Sequence, residues 1–103
     1  MMNYIPTNVD KPRKVYFTSE EERLFLDALM RKSSNLDGEY SLRRSSNGTI
    51  NVDYNGYPIG KIKLQGKGTW MMVMVNVFDS KVIKGDLSNY IGGIDNWISY
   101  IEN

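Results

Sequence analysis

Nine consecutive residues, Trp70-Met71-Met72-Val73-Met74-Val75-Asn76-Val77-Phe78, contain a single polar side chain, Asn76. Side chains alternate between the two faces of a strand, so a strand that is apolar at every position needs cover on both faces. The run is part of a longer unit, Ile59–Phe78, that reads as two strands joined by a tight turn at Gly66-Lys67-Gly68. Its first arm has a different pattern. Lys61, Lys63 and Gln65 alternate with Ile62 and Leu64, which makes one face cationic and the other apolar.

Upstream lie two more alternating segments. Tyr40, Leu42 and Arg44 alternate with Glu39, Ser41 and Arg43 as far as Asn47-Gly48, and Ile50, Val52 and Tyr54 alternate with Thr49, Asn51 and Asp53 as far as Asn55-Gly56. Asn-Gly between alternating runs is a strong hairpin signal, because both residues tolerate the positive φ of a type I′ turn. Four antiparallel strands in sequence are expected, at about 39–46, 49–54, 57–65 and 69–78, with 79–85 a loop that holds a short extended piece at Val82-Ile83.

A helix flanks the strands on each side. Thr18 reads as an N-cap, Glu21 completes a capping box, and Glu20 to Glu22 suit the positive end of the helix dipole. This helix is expected from about Ser19 to Ser33, with Leu24, Phe25, Ala28 and Leu29 as its buried stripe. Asp86 caps the second helix, whose stripe is Leu87, Tyr90, Ile91, Ile94, Trp97, Ile98 and Ile101. Gly92-Gly93 in mid-helix predicts close packing on the sheet, and Tyr90, Trp97 and Tyr100 read as core or rim aromatics. Met1–Arg13, with Pro6 and Pro12, reads as an N-terminal arm, and Val15-Tyr16-Phe17 as a short strand entering the first helix. The domain reading is an arm at 1–13 and one α+β domain at 14–103. That domain is a four-stranded antiparallel meander packed on an N-terminal and a C-terminal helix, α-β-β-β-β-α.

The residues present narrow the chemistry. The chain has no cysteine and no histidine, so it lacks a thiolate ligand, a cysteine nucleophile and the commonest general base. No phosphate loop, nucleophile elbow or zinc spacing occurs. Gly66-Lys67-Gly68 resembles a fragment of a phosphate loop but joins two strands, and Asp53 and Asp79 have no catalytic companion in the sequence. The expectation is a protein that is not an enzyme and has no cofactor and no metal. With a net charge of +1, global charge favours neither nucleic acid nor membrane. The start of the chain has no signal-peptide pattern, and no apolar stretch nears the roughly 20 residues of a membrane span, so a cytoplasmic protein is expected.

If each strand turns its apolar side to the helices, Ser41, Arg43, Asn51, Asp53, Lys61 and Lys63 line the opposite sheet face. The fourth strand breaks this scheme. Met71, Val73, Val75 and Val77 fall on one side, Met72, Met74 and Phe78 on the other, and one set has no helix to meet. A large exposed apolar patch marks an interface, and Met adapts to a partner's shape. The expected protein interface is therefore Trp70, Met72, Met74 and Phe78, taking a protein partner or a second copy. The second reading is single-stranded nucleic acid bound by Arg43, Lys61, Lys63 and Lys67, joined by Arg44, with Tyr54, Tyr57 and Trp70 for stacking. Solvated lysines that guard against edge aggregation account for the same charges.

The helix–strands–helix order is similar to the αβββα order of double-stranded RNA-binding domains. Lys84-Gly85-Asp86-Leu87-Ser88 stands where that family has a basic cluster. At Gly60–Met72 (GKIKLQGKGTWMM) and Tyr90–Tyr100 (YIGGIDNWISY) the sequence resembles small accessory proteins of phages and prophages of Gram-positive bacteria. The resemblance covers the C-terminal half. It implies a protein that binds and redirects a host protein, antiviral-defence components included, in the host cytoplasm. It carries over no residue role.

Overall fold

The computed structural model describes residues 18–102. The expected arm at 1–13 and the strand at Val15-Tyr16-Phe17 lie outside them. The element order is α1 (Glu20–Lys32), β1 (Tyr40–Arg44), β2 (Ile50–Tyr54), β3 (Tyr57–Lys63), β4 (Trp70–Met74), β5 (Ser80–Ile83) and α2 (Leu87–Glu102). The strands form one antiparallel sheet in the order β1-β2-β3-β4-β5. The fold is α+β with two helices, as expected, but the meander has five strands and not four.

The fifth strand comes from Asn76. Its Oδ1 accepts from the backbone N–H groups of Phe78 (2.8 Å) and Asp79 (3.0 Å), and Val75 N–H donates to Asp79 O (2.9 Å). An Asn side chain that satisfies the backbone two and three residues on makes a turn of its own. The one polar residue in the apolar run thus ends β4 at Met74 and starts a hairpin, and the extended piece expected at Val82-Ile83 becomes β5. Only five residues of the run need two-sided cover.

The other turns follow their sequences. Asn55 (φ 52°) and Gly56 (φ 87°) both take positive φ and form the tight β2–β3 turn. At the other Asn-Gly only Gly48 has positive φ (93°), with Gly48 N–H donating to Ser45 O (3.0 Å), so this hairpin is closed by a longer loop than the expected two-residue turn. A bulge at Val52/Asp53 shifts the β2–β3 register, and the adjacent Ile59 is buried.

In α1 the N-cap is Ser19 and not Thr18. Ser19 Oγ accepts from Glu22 N–H (3.2 Å), and Glu22 Oε1 accepts from Ser19 N–H (3.0 Å). Thr18-Ser19-Glu20-Glu21-Glu22 contains two overlapping capping boxes. The one chosen turns Glu22 inward, where it meets the guanidinium of Arg44 at 2.9 and 3.0 Å with both side chains fully buried. Gln65 Nε2 (2.7 Å) also donates to Glu22, and Arg44 donates to Gly48 O (3.0 Å). The same register buries Leu26 and leaves Leu24, expected in the stripe, 45% exposed.

The core takes Phe25, Ala28 and Leu29 from α1, Ile50, Val52, Ile62, Met71 and Val73 from the inner sheet face, and Tyr90, Ile94 and Trp97 from α2. Trp97 is its centre. Its ring meets Phe25 edge-on (5.5 Å, 82°), and its Nε1–H donates to Met72 O (3.0 Å). The indole lies against Gly60, where a Cβ would strike both Trp97 Nε1 and Met72 O. Asp86 caps α2 as expected: Asp86 Oδ1 accepts from Asn89 N–H (3.2 Å), and Asn89 Oδ1 accepts from Asp86 N–H (2.9 Å). The Tyr90 hydroxyl is bonded to Gly85 O (3.0 Å) and to Thr69 (2.8 Å), which ties the start of α2 to the start of β4.

Candidate functional site: the open face of the sheet

Both helices pack on the inner face, so the other set of alternating side chains has no layer of the described chain above it. Strand register fixes who stands beside whom. Arg43, Asn51, Lys61, Met72 and Val82 form one row across all five strands. Lys63 stands opposite Trp70, Met74 opposite Ser80, and Ser41 opposite Asp53. The face is divided: polar and cationic on β1–β3, apolar on β4–β5.

On the cationic side Arg43 bonds Asp53 (3.2 Å), and Asn51 Nδ2 donates to Ser45 Oγ (2.8 Å). Lys63 Nζ donates to Gly68 O (3.1 Å), stiffening the β3–β4 turn from which Lys67 projects. Among the described residues, no carboxylate lies within ion-pair distance of Lys61, Lys63 or Lys67. On the apolar side Trp70, Met72 and Met74 are half-buried, and Val82 is 56% exposed. Their neighbours Met71 and Val73 are buried under α2.

Trp70, Met72 and Met74 are thus gathered on one surface beside Lys61 and Lys63. Phe78 is not part of it. It stands in the β4–β5 turn, 90% exposed, next to Val75 and Val77. Arg44, grouped with the surface cations from its sequence position, is instead held inside by Glu22. Asp53 and Asp79 sit on separate elements, the first paired with Arg43 and the second accepting from Asn76 Nδ2 (3.2 Å).

Alternation could not reveal a second concave feature. A groove of about 530 Å³ runs between the β2–β3 turn, the β4–β5 turn and the end of α2, lined by Tyr54, Tyr57, Ile59, Val75, Val77 and Tyr100 together with Asn55, Asn76 and Ile101. Three of its polar side chains are engaged in holding turns. Tyr54 accepts from Gly38 N–H (2.6 Å), Asn55 Oδ1 from Glu39 N–H (2.9 Å), and Asn76 holds its own turn. Beyond these the groove offers the Tyr57 and Tyr100 rings among apolar side chains, and no charged side chain among the described residues lines it.

Among the described residues there is no cluster of three or more acidic side chains able to hold a metal, and no helix long and apolar enough to cross a membrane. Compared with known proteins, the chain matches no family model, no curated protein and no solved structure.

Proposed function

We propose that the protein is a small non-enzymatic binding protein that acts through the open face of its sheet, with a protein as partner. The observation that carries this reading is the row Lys61–Met72–Val82, with Trp70 and Met74 beside it: a lysine next to apolar side chains on a sheet face that neither helix covers, with Val82 exposed and Trp70, Met72 and Met74 half-buried. Met and Trp suit such a surface, Met because it repacks and Trp because it fills pockets at little entropic cost. Trp70, Met72 and Met74 are the anchors, and Phe78 belongs to a separate exposed turn. The resemblance to small phage and prophage proteins supports a setting in the host cytoplasm, with a host protein, antiviral-defence components included, as the thing bound.

Single-stranded nucleic acid on Arg43, Lys61, Lys63 and Lys67 is the second reading, favoured by the three lysines without a carboxylate partner among the described residues. Gel filtration with light scattering, alone and with a labelled single-stranded oligonucleotide at low and moderate salt, separates the two. The protein reading expects no co-elution, and any dimer to be dissociated by Met72→Lys. Co-elution that salt reverses and that Lys61→Glu/Lys63→Glu abolishes gives the face to nucleic acid.

A further inference from the structure

We infer that the open face takes an acidic polypeptide segment carrying aliphatic or aromatic anchors, its carboxylates over Lys61 and Lys63 and its anchors on Met72 and Val82. This rests on the protein-binding reading above and narrows the partner's chemistry. Charge carries it. The net charge of +1 conceals a segregation: residues 57–84 hold five lysines against Asp79 alone. Of the five, Lys61 and Lys63 stand on the open face and Lys67 in the β3–β4 turn, while Lys81, opposite the buried Val73, lies on the helix side. On the open face, Arg43 already has Asp53 as its partner, and the lysines at 61, 63 and 67 have none among the described residues. A complementary surface is therefore negative.

The neighbours of those lysines decide between an acidic polypeptide and a nucleic acid. Strands that bind bases without sequence preference use successive aromatic faces. Here Lys61 is flanked by Asn51 and Met72, with Val82 one strand beyond Met72 and Met74 further along β4. Trp70, opposite Lys63, is a lone aromatic face beside this row and not one of a succession, while the aliphatic groups bury apolar side chains. Cations and anchors lie one to two strand spacings apart, roughly 5 to 10 Å. An extended segment covers that distance in about two to three residues, so acidic and apolar residues should be close in the partner's sequence.

The test is selection from a random peptide library displayed against the full-length protein, followed by affinity measurements on the enriched peptides. The inference expects peptides of net negative charge with aliphatic or aromatic residues within a few positions of an acidic one. It expects binding about tenfold or more weaker to Lys61→Glu/Lys63→Glu, and weaker as salt rises. These lysines and Met72 present side chains outward, so circular dichroism should confirm that the variants keep the fold. Enriched peptides that are neutral or basic, or that ignore the charge reversal yet lose binding to Met72→Lys, overturn the acidic partner and leave the protein-binding reading standing. Peptides indifferent to both changes overturn both. Failure to enrich any peptide overturns the inference. So does salt-sensitive binding of an oligothymidine that Lys61→Glu/Lys63→Glu removes, which would give the face to nucleic acid.

Discussion

The Arg44 guanidinium grips the Glu22 carboxylate through two hydrogen bonds, 2.9 and 3.0 Å, with both side chains fully buried. This pair joins the end of β1 to the first turn of α1 and fixes the register in which the helix docks. Its energetics are asymmetric. Making a buried pair recovers little beyond the desolvation of its charges, but removing one member strands the other. Glu22→Gln or Arg44→Met alone should each cost about 3 to 5 kcal/mol in urea denaturation. Glu22→Gln combined with Arg44→Met should cost clearly less than the sum of the two single replacements, because no charge is left stranded.

The same pair sets an acid limit. Burial pushes the Glu22 carboxyl up, but hydrogen bonds from Arg44, the Ser19 N–H and Gln65, with the Arg44 charge, outweigh it and hold Glu22 below its ordinary value. Asp86 is lowered too, first by the Ser88 hydroxyl and then by the Asn89 N–H. A carboxyl whose folded value is depressed contributes its full stability above its unfolded value and loses it as pH falls through the folded one. Unfolding free energy should therefore be flat from neutral pH down to the ordinary carboxylate range and fall below it. In Glu22→Gln the fall should be shallower, as urea titrations across that range would show.

Two adjacent glycines in α2 should respond in opposite ways. A Cβ at Gly92 meets nothing within 4 Å, so Gly92→Ala should stabilise by about 1 kcal/mol through helix propensity. At Gly93 a Cβ comes to 2.6 Å from Met71 Sδ and 3.0 Å from Ile83 Cδ1, with Met71 fully buried. Gly93→Ala should lower Tm, since overpacking a filled core costs about 1 to 3 kcal/mol and exceeds the propensity gain. Thermal melts of the two variants would check both signs.

The sequence showed the layers more clearly than their edges. Periodicity placed both helices and the first three strands because Ile50, Val52, Ile62 and the Tyr90–Ile94–Trp97 stripe have to face one core. It overran β4 because hydrophobicity counted Asn76 as a lone exception in an apolar run, when its side chain makes the turn. It put Arg44 among surface cations because alternation gives a side chain's face but not its partner, and Glu22 lies 22 positions away. The candidate face was legible in part. Met72 and Met74 followed from the pleat, but Phe78 left the face once the hairpin was closed by Asn76. The groove was not legible at all, because it is built by two turns and a helix end.

Surface apolar residues at the β4–β5 turn should matter little to the fold. Phe78→Ser changes a side chain that is 90% exposed, and unfolding free energy should stay within about 0.5 kcal/mol of wild type. A larger loss in denaturant titration would mean that this turn is covered in solution.

The most direct measurement is a pair of photocrosslinking experiments in cells, with a photoreactive amino acid in place of Met72 in one variant and of Phe78 in the other. With the partner on the open sheet face, position 72 gives a discrete protein adduct, weakened by Lys61→Glu, and position 78 gives none of that mass. An adduct from position 78 alone would contradict it and move the binding surface to the β4–β5 turn and its groove.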